Sequence, residues 1–308
     1  MKKIVICAVA AAMAFSLGAQ DAPEQFKQKY DLLVSRLGVD GVGVETHISK
    51  WESAYPEDLE MLQAKFLYYL AKSQSSQIVC LPDAKFLGQE PMLALKDSTG
   101  APMNYFQEPM YEDSLFMKAD LAIDKAARLA PEQLDFKFAR ANALMGYEKG
   151  SPDMTLAYLS GLADEFYGQK PAWEYVGEAV TPEMFSGFMQ EYCFSFFKLG
   201  TPHSYGAFKA LSEKMLQYEA GSAVFTDNIG TYYLIAKGDT KTALKYYNKV
   251  LKAHPGDLTA IRNCIIIARR DKNVKLEKKY LPMMIQYGDS ETDRLAAEAR
   301  LSALSSKK

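Results

Sequence analysis

The sequence predicts an all-α fold: a superhelix of about six helical hairpins, closed by a C-terminal helix and interrupted by one small β or loop insertion. Three observations carry this expectation. Apolar residues recur at three- and four-residue steps in one segment after another, which is the period of a helix with one buried face. One set of apolar offsets ending in proline occurs three times. A single stretch, between residues 74 and 112, has no helical period at all.

From the N-terminus, Met1-Lys2-Lys3 precedes an apolar run from Ile4 to Leu17 and then Gly18-Ala19-Gln20. A charged start, an apolar centre and small residues form the pattern of a secretory signal, here residues 1–20. The apolar run falls short of the roughly 20 residues a membrane span requires. The expectation is a protein exported to the periplasm or secreted, with no membrane anchor after cleavage. Removing residues 1–20 takes away two lysines, so the net charge moves from −2 to −4. With no basic surplus, nucleic acid is not an expected partner. At 48% hydrophobic and 12% aromatic residues the chain can bury a large core.

The domain then spans 21–305. EQFKQKYDLLVSRLG is its first helix, joined through Gly38–Gly43 to VETHISKWESAYPED. LEMLQAKFLYYLAKS, residues 59–73, begins the second hairpin with Leu62, Phe66 and Tyr69 on one face. Its partner waits until about Ser114. Between them the chain is rich in proline and glycine, and Asp97-Ser98-Thr99-Gly100 forms a turn between the short strand candidates MLAL and PMNYF. The expectation is a β-hairpin or extended flap closing over a groove of the helical array. Further helices follow at 134–148 and from about Asp153 to Phe166. Thr181-Pro182 and Thr201-Pro202 each supply a capping hydroxyl and a first-turn proline for the next pair. NIGTYYLIAKG and residues 240–253 make a hairpin around Gly238. LTAIRNCIIIARR and VKLEKKYLPMMIQYG make the last, kinked or ended at Pro282. Ser290 caps a final helix whose outer face is charged.

The repeated offsets define the hairpins. Ala243, Tyr247, Val250 and Pro255 stand at 0, +4, +7 and +12; Ala119, Ile123, Ala126 and Pro131 repeat them, as do Val44, Ile48, Trp51 and Pro56. A small residue lets two helices approach, the next side chain fills the groove, and proline ends the helix. On these residues the chain resembles the tetratricopeptide repeats, whose pattern ends in a small residue, an aromatic four later and a closing proline. Val44, Ile48 and Ile123 depart from that pattern, and Trp51 and Val250 stand where the family prefers alanine. With its signal ending LGAQ, the chain also resembles secreted repeat proteins of the Bacteroides group. The resemblance implies an adaptor that binds a protein or peptide segment and implies no substrate.

Chemistry finds little purchase in the sequence. Cys80, Cys193 and Cys264 lack metal-ligand or redox spacing, and at most one disulfide can join them. His47, His203 and His254 are isolated from one another, so no metal is expected. Pairs such as Asp164-Glu165 and Glu57-Asp58 sit where solvated charge is ordinary. In the doublets Tyr68-Tyr69, Tyr232-Tyr233 and Tyr246-Tyr247, at least one member of each is expected on the buried helix face. No catalytic residue and no cofactor is assigned, and the chain is not expected to be an enzyme. The competing expectation is an enzyme or small-ligand site between the insert and the helices, which Asp83, Glu90 or Asp97 converging with a histidine in a deep pocket would favour.

Overall fold

The computed structural model describes residues 22–306, so the signal sequence expected at 1–20 lies outside the described residues. Among them the chain forms thirteen helices and two small sheets. The fold is all-α: six consecutive helical hairpins and a terminal helix. The hairpins are α1 (Pro23–Leu37) with α2 (Val44–Ala54), α3 (Leu59–Ser73) with α4 (Asp113–Leu129), and α5 (Leu134–Glu148) with α6 (Asp153–Gln169). They continue with α7 (Pro182–Leu199) and α8 (Pro202–Tyr218), α9 (Ala223–Ile235) and α10 (Thr240–Ala253), and α11 (Leu258–Arg270) and α12 (Val274–Tyr287). Helix α13 (Glu291–Ser306) closes the array.

Many of the helices begin where the sequence offers an acceptor for their unpaired amides. Asp58, Thr181, Asp239, Asp257 and Asn273 each accept from the backbone N–H three residues on, at 2.9–3.2 Å. Ser290 does the same for Asp293 at 3.0 Å. Such caps stabilise by about 1 kcal/mol each. The nine apolar landmarks before the three closing prolines are all 3% exposed or less. The repeated offsets therefore mark the buried face of α2, α4 and α10.

Packing is sequential, as in a solenoid where each unit touches only its neighbours. Three core clusters succeed one another along the chain, one under α1–α5, one under α5–α9 and one under α9–α13. First helices of successive hairpins adjoin, as in α1 beside α3 and α9 beside α11, and second helices adjoin likewise, as in α6 beside α8. Phe166 of α6 stacks on Phe185 of α7 with centroids 4.1 Å apart, carrying the core across a hairpin boundary.

The structure sharpens several details. Helix α4 starts at Asp113, because Glu112 accepts from the amides of Ser114 and Leu115 at 3.0 and 3.2 Å. Helix α6 runs past Phe166 to Gln169. Helix α12 does not end at Pro282 but continues through it to Tyr287; Pro282 and Lys278 are both exposed, so water can satisfy the carbonyl that proline leaves unpaired. Tyr232 and Tyr233 are both only half-buried, whereas Tyr68 and Tyr69 are both in the core. Cys80, Cys193 and Cys264 are all free thiols.

The segment between α3 and α4 is a three-stranded antiparallel sheet ordered β1-β3-β2, with β1 at Gln74–Leu81, β2 at Leu93–Lys96 and β3 at Pro102–Tyr111. Strand β1 follows α3 without a break, and the Glu112 amide donates to the Ser73 carbonyl at 2.8 Å. The helical hairpin thus passes directly into a β-ribbon, from Gln74 opposite Tyr111 to Leu81 opposite Asn104. The expected turn is present: Asp97 Oδ1 accepts from the amides of Thr99 and Ala101 at 2.7 and 3.0 Å. Strand β1 carries no alternation that would single it out in the sequence, because most of it faces solvent on both sides.

The ribbon does not fold over the face of the first helices. It lies against the turns within the following hairpins. Lys149, between α5 and α6, reaches Glu108 of β3 at 2.8 Å. Gly88 packs so closely on the end of α7 that a β-carbon there would sit 2.0 Å from the Lys198 carbonyl oxygen. Its φ of +75° independently favours glycine.

Candidate functional site

On the row of first helices a cavity of about 380 Å³ opens between α3 and α5. Its floor is apolar: Phe66 and Leu67 from α3, Ile123 from α4, and Phe136 and Ala139 from α5. Gln63, Gln133, Asp135 and Val176 complete its lining. None of its lining residues comes from 74–112; the excursion beside it is a second, smaller one.

That excursion is a hairpin between α6 and α7, with β4 at Glu174–Tyr175 and β5 at Glu178–Ala179. No expectation covers it, since a ladder of two residues is too short for alternation to register. A local signal exists in Val176-Gly177, for a two-residue turn needs positive φ at both positions. They have φ of 51° and 76°. Three anchors seat the hairpin. Trp173 is buried against Phe166 and Phe185, with Lys137 Nζ 4.6 Å from its ring centre. The Glu174 amide donates to the Glu132 carbonyl at 2.8 Å. The Val176 amide donates to Asp135 Oδ2 at 3.1 Å. A β-branched residue is thereby held left-handed at the mouth of the cavity, 73% exposed.

The row of second helices is open near the middle of the array. Between α4 and α6 lies a cavity of about 590 Å³ with Arg140 of α5 at its base. Arg140 donates to both Asp120 oxygens at 2.8 and 3.0 Å and also to Asp124, and its guanidinium lies 5.1 Å from the ring centre of Tyr158. Burial pushes the Tyr158 hydroxyl up to about 12. The cation is committed to its own carboxylates, so this recess offers shape more than free charge. Between α6 and α8 the same row is shut: Tyr167 stacks on Tyr218 at 4.7 Å and donates to Glu219, while Tyr218 donates to Asp164.

The residues weighed for chemistry do not come together. Asp97 is engaged in its own turn, Glu90 pairs with Lys85 at 2.8 Å, and Asp83 offers its carbonyl to Asn104. His47 is buried, with Nε2 2.8 Å from the Phe26 carbonyl oxygen; His203 and His254 are exposed on other hairpins. Burial pushes the Cys193 and Cys264 thiols up to about 12, away from nucleophilic character. Among the described residues, no three of His, Cys, Asp and Glu converge as metal ligands, and no helix is long and apolar enough to cross a membrane.

The fold thus defines a helical-repeat protein. No protein-family model matches the chain, and no curated protein matches its sequence. Among solved structures, a flexible tandem repeat domain belonging to bacterial cellulose synthase is similar at 14% identity, over 93% of this chain and 98% of that one, with a TM-score of 0.29. At that score the likeness adds nothing to the hairpin geometry described above.

Proposed function

We propose that this protein is an exported scaffold of the tetratricopeptide-repeat type, which holds an extended protein or peptide segment along its first helices and performs no chemistry of its own. The observation that supports this most is the α3–α5 cavity, where apolar residues are bordered by the polar residues Gln63, Gln133 and Asp135. An extended peptide needs both, apolar space for alternate side chains and polar groups for its main chain. The strained Val176 at the mouth is a further support, because backbone strain gathers at sites that bind. Export rests on the N-terminal sequence alone.

The test is selection from a displayed random-peptide library by the chain from residue 22 onward, followed by affinity measurement on Ala139→Phe, which fills the floor. Selected peptides should share an apolar residue and bind the variant at least ~10-fold more weakly, the scale of one well-buried side chain. Peptides that bind both proteins equally, or a library that yields none, would overturn the assignment.

A further inference from the structure

The whole-chain charge conceals a strong asymmetry. Residues 237–287 carry twelve Lys and Arg against four Asp and Glu, a net charge of +8, while the chain as a whole is −2 and everything outside that stretch sums to −10. The excess is concentrated on one surface. Helix α10 has no acidic residue and exposes Lys241, Lys245, Lys249 and Lys252. At 100° per residue these four fall within one narrow stripe about 16 Å long. Helix α12 adds exposed Lys275, Lys278 and Lys279, and its one acid, Glu277, is turned inward onto Arg269 and Arg300.

The two stripes form one face. Lys279 Nζ donates to Asn248 Oδ1 of α10 at 3.0 Å, and the neighbouring Tyr280 hydroxyl donates to the same oxygen at 2.8 Å. Among the described residues, none of these lysines has a carboxylate within ion-pair distance, whereas the two lysines of α8 both do, Lys209 with Glu213 and Lys214 with Asp164. Lysines at i, i+4 and i+8 repel one another and weaken an isolated helix. The array therefore costs stability, and no ion pair among the described residues offsets it.

The geometry points to an anionic phospholipid bilayer as the surface that this face docks against. Two adjoining second helices present charge in two dimensions, which suits a plane of headgroups. A single nucleic-acid strand would need a groove with stacking aromatics, and here Tyr247 and Tyr280 are buried while Tyr246 is stacked on Tyr233. Lysine is the appropriate cation: a hydrated point charge on a flexible stem follows a diffuse surface potential without needing the planar, bidentate partner that arginine favours. The acidic remainder of the molecule is repelled by the same surface, so the charge separation also orients the docked protein with α10 and α12 against the lipid. This inference is independent of the α3–α5 cavity.

The chain from residue 22 onward should co-sediment with vesicles containing phosphatidylglycerol, not with pure phosphatidylcholine vesicles, and should be released by high salt. Replacing Lys241, Lys245 and Lys249 together by Gln, which removes repulsion and leaves the helix intact, should lower partitioning on the order of 100-fold. Lys275→Gln with Lys278→Gln should also lower it. A control triple, Lys50→Gln, Lys72→Gln and Lys96→Gln, exposed residues of the acidic part, should not. Circular dichroism checks that every variant is folded. Equal sedimentation with both lipids, equal loss in the control triple, or binding of soluble polyphosphate without binding of vesicles would overturn the assignment. Peptide affinity at the α3–α5 cavity stays unchanged in the lysine variants, which keeps the two tests separate.

Discussion

Gly230 of α9 lies directly against the ring of Tyr247 of α10: a β-carbon on Gly230 would sit 2.8 Å from Cε1. Tyr247 is fully buried and its hydroxyl is 3.0 Å from Thr231 Oγ1, so the ring has nowhere to go. In a free helix Gly→Ala stabilises by up to ~1 kcal/mol. Here the clash should win, with overpacking costing about 1–3 kcal/mol. Urea unfolding of Gly230→Ala checks the sign; a variant more stable than the parent would show that α9 and α10 can part without cost.

Asp227 of α9 is 3% exposed, its Oδ1 has no hydrogen-bond partner, and Asp257 at the start of α11 faces it. Burial first, and the Asp257 carboxylate second, push its carboxyl up to about 8. The folded protein therefore holds this proton more tightly than the unfolded chain, whose carboxyl titrates near ~4. The resulting stability is present in full at acid pH and is lost as pH rises toward 8, with a slope of up to ~1.4 kcal/mol per pH unit. The other titratable groups around it, Tyr247 and Cys264, are pushed upward and stay neutral across this range. Asp227→Asn should flatten the Tm profile between about pH 5 and pH 8 and raise stability at the alkaline end. Identical profiles would sink the idea.

Glu277 of α12 is 2% exposed and is held from two sides, by Arg269 Nε at 2.7 Å and by Arg300 of α13 at 2.8 and 2.9 Å. Hydrogen bonds from Arg300, then Arg269, outweigh burial and keep its carboxyl below the usual range. Arg300→Met should cost about 2 kcal/mol, the scale of charge-assisted hydrogen bonds, and should release α13. Faster amide exchange confined to residues 291–306 is the expected signature. Because the folded carboxyl is the stronger acid, this clamp is intact at neutral pH and weakens as pH falls through its depressed value.

Val176→Asn should raise stability by about 1 kcal/mol, since asparagine accepts the left-handed backbone that valine resists. The same change removes an exposed apolar side chain from the mouth of the cavity. Peptide affinity should therefore fall while Tm rises. A rise in Tm with affinity unchanged would separate the hairpin from recognition.

The helices are legible in the sequence because burial repeats with the period of the backbone. Ala119, Ile123 and Ala126 on α4, and Ala243, Tyr247 and Val250 on α10, announce both the buried face and, with Pro131 and Pro255, where each helix stops. The cavity is not legible there. Gln63, Phe66, Gln133 and Phe136 are ordinary positions in separate hairpins, and only the packing of those hairpins brings them to one recess. The cationic face escapes for a different reason: counting charge over the whole chain cancels +8 against −10.

That this chain is an array of helical hairpins broken between residues 74 and 112 follows from residues close together in the chain, because helix caps, apolar period and closing prolines act locally and each can be read within a few residues. The three-dimensional packing is what makes the broken segment a ribbon braced on Lys149 and Lys198 and sets a short hairpin beside the recess on the first helices. It alone also decided that the lysines of α10 and α12 share one face. Those are relations between residues distant in the chain, set by how each hairpin packs on the next.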